Sequence, residues 1–216
     1  MTYAELLADI ESWLQRDDLT TQAPIFVRYA TAALNRTLSR NPVPQMESRV
    51  ESASPVETEY VGIPDDCLRI RAIVDGDGKQ ARLATQAQIA QAIEENRSSD
   101  FLLYSLEDMQ IRLYPAPSAS EPVELTILYY AKLADFVSGT DTNWMLDEHP
   151  DVYLYGSLVH AKAWLHDDRR LQLVDQMYKA GLSEVLERRL STPGAVSLIE
   201  TDVPASRSGF NILTGV

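Results

Sequence analysis

One cysteine, Cys67, in 216 residues leaves no partner for an intrachain disulfide. That suits a reducing compartment, and a lone cysteine reads as a small apolar residue of the interior. Basic residues are scarce too. Nineteen Lys and Arg face 32 Asp and Glu, a net charge of −13, and the longest basic runs are Arg169-Arg170 and Arg188-Arg189. A chain that grips nucleic acid neutralises phosphates with clustered cations, so this balance argues against that class. No apolar run approaches the roughly 20 residues that span a bilayer. The start, Met1-Thr2-Tyr3-Ala4-Glu5, has neither the basic region nor the apolar stretch of a signal peptide, so no membrane partner is expected.

Catalytic and metal signatures are missing as well. His149 and His160 lie eleven residues apart. On one helix they would share a face but stand about 16 Å apart along the axis, too far to hold one metal. His160 and His166 face different sides, and no pair has the four-residue spacing of a helical zinc site. Asp75-Gly76-Asp77-Gly78-Lys79 has the look of a calcium loop, but its fifth position is Lys79 and its twelfth is Gln86, so it reads as a turn. The acid pairs Asp65-Asp66, Asp147-Glu148 and Asp167-Asp168 are sequence neighbours, which do not face each other on a helix. There is no nucleophile elbow and no phosphate-binding glycine loop. The expectation is no enzyme, no cofactor and no metal. Two rivals stay open: an acidic hydrolase whose carboxylate pair assembles in three dimensions, and a monomeric ligand-binding module with an enclosed apolar cavity.

What is present is pattern. Thr2 and Glu5 make a capping box, and Tyr3, Leu6, Leu7, Ile10, Trp13 and Leu14 follow with helical spacing, predicting a helix over 2–16. Thr20-Thr21 with Pro24 opens a second, which Asn41-Pro42-Val43-Pro44 ends. Between about 45 and 133 the period falls to two. Strands are predicted over 49–52, 57–63, 68–74, 80–83, 101–106, 109–114 and 123–130, with hairpin signals at 75–78 and 107–108. One helix, 85–95, interrupts them. Val123, Leu125, Ile127 and Tyr129 alternate as one buried face should.

The stretch from Asn143 to Leu190 reads as two helices folded back on each other. Pro150 suits the first turn. Leu154, Leu158, Ala161 and Leu165 make one stripe, and Leu171, Val174, Tyr178, Leu182 and Val185 make the returning one, with a short turn at His166-Asp167-Asp168. Gly156, Ser157, Ala161, Ala163 and Gly181 let the axes approach closely. Tyr153 and Trp164 lie off the Leu154 stripe, so they are candidates for a subunit interface, with burial against the rest of the chain as the alternative. From Ser191 onward Gly, Ser, Thr and Pro dominate. The apolar residues fall in two knots, Val196/Leu198/Ile199 and Phe210/Ile212/Leu213. Fully extended, this segment would reach roughly 80–90 Å, and it reads as an arm whose knots anchor on a partner.

The run N-W-M-L-D-E-H-P-D-V-Y-L-Y-G-S-L-V-H-A from Asn143, following a strand that ends in Tyr129-Tyr130, resembles the C-terminal half of tailed-phage head-to-tail connector (head completion) adaptors. Ile25 to Arg40, Gly62-Ile63-Pro64-Asp65-Asp66-Cys67-Leu68-Arg69-Ile70 and Leu113-Tyr114-Pro115-Ala116-Pro117 sit in the order that family leads one to expect. The resemblance implies a structural virion protein: a homo-oligomeric ring, expected to be dodecameric, in the neck between portal and tail. Its partners would be sister copies, the portal protein and a downstream tail or neck protein, with DNA passing through without sequence-specific binding. The acidic balance then suits a lumen along which DNA slides without sticking.

The resulting expectation is an α+β chain: a helical bundle from N- and C-terminal helix pairs, an inserted antiparallel β-rich sandwich or barrel, and an extended C-terminal arm. The divisions are 1–42 for the first helix pair, 43–133 for the β-rich insert, 134–190 for the helical hairpin and 191–216 for the arm.

Overall fold

The computed structural model describes residues 1–52, 55–95, 102–165 and 168–187. The turn residues His166 and Asp167, the side chains of 168–171 and the whole of 188–216 lie outside the described residues. Helices α1 (Tyr3–Leu14) and α2 (Ala23–Arg40) open the chain, and α4 (Trp144–Glu148), α5 (Pro150–Trp164) and α6 (Asp168–Glu187) close it. Between them lie β1 (Glu47–Glu51), β2 (Tyr60–Gly62), β3 (Cys67–Asp75), β4 (Arg82–Leu83), α3 (Gln86–Glu94), β5 (Leu103–Glu107), β6 (Gln110–Tyr114) and β7 (Leu125–Ala131).

The predicted box caps α1: Thr2 N–H donates to Glu5 Oε2 at 2.8 Å, and Glu5 N–H donates to Thr2 Oγ1 at 3.4 Å. A second box, Thr85 with Gln88, starts α3. α2 departs from expectation. Its N-cap is Gln22, whose side chain makes no capping bond, so Pro24 and not the Thr20-Thr21 pair marks the start. The short α4 is an unforeseen element, separated from α5 only by His149.

Two apolar clusters form. The helical one gathers Leu6 and Ile10 of α1, Val27, Leu34 and Leu38 of α2, Met145 and Leu146 of α4, Val152, Tyr153 and Leu158 of α5, and Val174 and Val185 of α6. α5 is its axis, touching α1, α2, α4 and α6. The expected close approach is real. A Cβ on Gly156 would sit 3.0 Å from the Tyr178 ring, and one on Gly181 would sit 3.1 Å from Val152 Cγ2.

The second cluster lies between two sheets, ordered β1-β7-β3 and β2-β6-β5-β4. Ile73, Leu125, Ile127 and Tyr129 come from the first, and Tyr104, Ile111 and Leu113 from the second. β7 buries its odd positions 125, 127 and 129 as its alternation predicts. The sheets do not close, so of sandwich or barrel the barrel is ruled out. Nor is the β part wholly antiparallel. β4 pairs β5 in parallel, because α3 and the chain around it supply the crossover that a parallel pair requires. The turn at 75–78 is confirmed. Gly78 takes a φ of 79° and Lys79 N–H donates to Asp75 Oδ1 at 2.8 Å.

β7 joins the two parts. Tyr130 packs on the helical cluster while Tyr129 faces the sheets, and Leu133 just beyond is buried among the helices. Asn35 of α2 holds this junction, its Oδ1 accepting from Leu133 N–H at 2.9 Å.

Candidate interaction surface

The largest buried side chain of the helical part is polar at its tip. Tyr153 is 0% exposed, and Asn143 Nδ2 donates to its hydroxyl at 3.0 Å. Thr31 Oγ1 stands 3.4 Å from the same oxygen. The single threonine proton is directed to Val27 O at 2.9 Å, which leaves the tyrosine hydroxyl to donate to Thr31. Asn143 does more. Its Oδ1 caps α4 by accepting from Leu146 N–H at 3.0 Å, and its amide donates to Ala134 O at 3.1 Å. One buried triad thus ties α2, α4, α5 and the chain leaving β7. Burial pushes the Tyr153 phenol up, so it stays neutral and able to donate.

Of the two readings open for Tyr153, the described residues show burial against its own chain: it is 0% exposed, because α5 is met by helices on several sides. Trp164 differs: 51% of its surface is exposed, with its ring 5.9 Å from Phe26. Sequence reading missed its neighbours on α2. Tyr29, 49% exposed, meets His160 edge-on at 5.7 Å, and Ile25 stands one turn before it. Trp13 of α1 is also half exposed, edge-on to Tyr155.

The outward face of α2 is distinctive in charge. Ile25, Arg28, Tyr29, Ala32, Arg36 and Arg40 are all exposed and recur at helical spacing. Arg28 lies against the Tyr29 ring, 6.0 Å from its centroid, and none of the three arginines makes an ion pair with a described residue. At the first turns of α2 this face borders a groove of about 310 Å³ formed with Tyr3, Asp135 and Phe136, floored by Val27 and Thr31. The signal was available in the sequence as arginines and an aromatic recurring on one side of an amphipathic helix.

In the β part, a shallow depression between β1 and the 75–78 turn is lined by the acids Glu51, Asp75 and Glu124, of which Glu51 pairs with Arg49 and Asp75 accepts from the Lys79 N–H. Among the described residues no group of three or more His, Cys, Asp or Glu is arranged to hold a metal, and no helix is long and apolar enough to cross a membrane. His160 is half buried, edge-on to Tyr29; burial first, and the Arg36 charge second, hold its pKa below the ordinary histidine value. The geometry is that of a contact surface: aromatic edges, a basic stripe with no ion pair among the described residues, and a groove beside it. The anchors Val196, Leu198, Ile199, Phe210, Ile212 and Leu213 lie outside the described residues.

Two comparisons bear on the chain as a whole. The family model described as SU10 adaptor protein matches residues 1–197. A search of curated proteins found no match.

Proposed function

The chain belongs to the SU10 adaptor family of phage head–tail adaptors, and from that premise we propose that it forms a closed ring joining portal to tail in the virion neck. At the coarser level it is a structural phage protein of adaptor type. The match over 1–197 carries the reading, because it takes in both the helical part and the β part.

In the ring, one face of each helical part meets a different face of the next copy, the head-to-tail arrangement that closes when the rotation divides the circle. Half-exposed Trp13, Tyr29 and Trp164 are the side chains suited to such contacts, being large, stiff and amphipathic. The arm adds a second attachment through Val196, Leu198, Ile199, Phe210, Ile212 and Leu213 to a neighbouring subunit or the portal. A subunit held at two places rebinds at one before it leaves the other, so modest anchors suffice. Twelve copies, a lumen of acidic or neutral character and passage of DNA without sequence readout complete the proposal; a continuous Lys/Arg belt in the assembled lumen would contradict the last part.

Deleting 191–216 tests the arm. The expected product keeps its helical circular dichroism and remains a monomer in light scattering, with and without portal. Assembly equal to that of the full chain would overturn the arm's role.

A further inference from the structure

The outward face of α2 is cationic in a chain of net charge −13, and α1 of the same chain has the inverse character. On α2, Arg28, Arg36 and Arg40 are exposed and make no ion pair with a described residue. Cations alone would suit any polyanion. Ile25 and Tyr29, exposed on the same face, select a protein surface with an apolar edge. On α1, Tyr3–Leu14 carries Glu5, Asp9 and Glu11 and no Lys or Arg. Glu5 is engaged at the cap by Thr2, but Asp9 and Glu11 make no ion pair with a described residue. Ala8 and Ser12 occupy the middle of the exposed side of α1, and half-exposed Trp13 stands at its end. Acids elsewhere are met locally: Asp175 by Lys179, Glu47 by Arg71 and Asp147 by Thr142.

We propose that the exposed side of α1 in one copy packs antiparallel on the outward face of α2 in the next. The spacing along the two helices matches. With Trp13 opposite Tyr29, a rise of about 1.5 Å per residue carries Asp9 about 6 Å along, between Arg28 and Arg36. Glu5 then falls about 12 Å along, level with Arg36 at about 10 Å. Ala8 and Ser12 come opposite Ala32, and such small side chains let two helix axes approach. Antiparallel packing also sets the two helix dipoles head to tail. Within one chain the two sets of charges stay apart, since no ion pair among the described residues joins α1 to α2. Two different faces in contact make a heterologous interface, the kind that closes rings. Each exposed ion pair contributes little and is screened by salt, so two free copies hold weakly, whereas a closed ring engages both faces of every copy. The inference rests on the ring reading for its repeating partner and names the surfaces through which that partner is met.

The test uses two full-length chains in a Cys67→Ser background, one carrying Ala8→Cys and the other Ala32→Cys, mixed in equal amounts and oxidised with and without portal protein. Chance encounters give mixed and like-with-like disulfides in equal amounts; the proposal expects the 8–32 link to dominate. Arg28→Glu/Arg36→Glu on the second chain should lower that link about fivefold, and Asp9→Lys/Glu11→Lys on the first chain should then restore it. Restoration separates lost charge pairing from a lost fold. Absence of the 8–32 link from both samples, a yield indifferent to the charge changes, or position 32 linking only to portal would each overturn the proposal. Mass bound to portal, read by light scattering in the same samples, scores the ring reading separately. A ring on the portal without the 8–32 link overturns the pairing alone, whereas the link without binding to portal upholds the pairing and removes its seat.

Discussion

α5 and β7 run through the centres of the two halves of this molecule, yet they are held differently. α5 is met by α1, α2, α4 and α6, buries Val152, Tyr153, Gly156, Ser157, Leu158 and Ala161 around its circumference, and is pinned by the hydrogen-bonded triad at Tyr153. β7 is flanked by β1 and β3, buries alternate residues on one side, and relies on apolar contact between sheets. Pattern alone specifies the second arrangement. The first also needs particular side chains at particular depths, because a half-satisfied polar group in a dry core is costly. The helical half should therefore be the less tolerant of substitution.

Five substitutions and a titration can break or sharpen that contrast. Tyr153→Ala removes an aromatic and orphans Asn143 and Thr31, so a loss of about 4 kcal/mol is expected in urea unfolding. Tyr153→Phe, which keeps the ring, should lose about 1–2 kcal/mol. Ile111→Ala, in the centre of the sheet cluster, creates a cavity without stranding a polar group and should cost about 3 kcal/mol. If Ile111→Ala proves the more damaging, the contrast is wrong.

Gly156→Val drives a branched side chain against the Tyr178 ring and should cost about 2 kcal/mol, read as a lowered melting temperature. At the β5–β6 turn, Asp108 and Met109 both take positive φ, 45° and 60°, and Met109 is 76% exposed. Met109→Gly relieves a left-handed residue in a hairpin that favours glycine, so it should raise stability by about 0.5–1 kcal/mol. A gain there, opposite in sign to every helical change, would mark the β half as the looser one.

The smallest effect expected is a titration. His160 has a folded pKa below its unfolded value, chiefly through burial. Its contribution is present above the ordinary histidine range and is lost as pH falls through the depressed folded value. Unfolding midpoints measured from pH 7.5 to 5 should decline, and His160→Gln should flatten that portion of the curve.

Where the sequence carried a clear period, the architecture was legible. Among the described residues, all seven strands and five of the six α-helices lie where spacing, capping boxes and turn residues indicate. α4 escaped because five residues give no period; only Asn143, an N-cap type before Trp144-Met145-Leu146, announced it. Tyr153 was left between interface and burial for a related reason. A single stripe assumes one buried face, whereas α5 is surrounded, and the count of neighbours is a tertiary property that no local window contains. The parallel β4–β5 pair likewise depends on where α3 lets the chain return. The basic face of α2 could have been read from spacing alone, but its lack of ion-pair partners among the described residues needed the structure.

The account turns on assembly, and imaging tests it most directly. Purified chain should be incubated with the portal protein of its own phage and examined by electron cryomicroscopy. The account predicts a closed ring of 24.2 kDa subunits seated on the portal, helical parts touching side by side around an open, acidic or neutral lumen. Bare portals beside free 24.2 kDa monomers, under conditions where both proteins are folded, would contradict it.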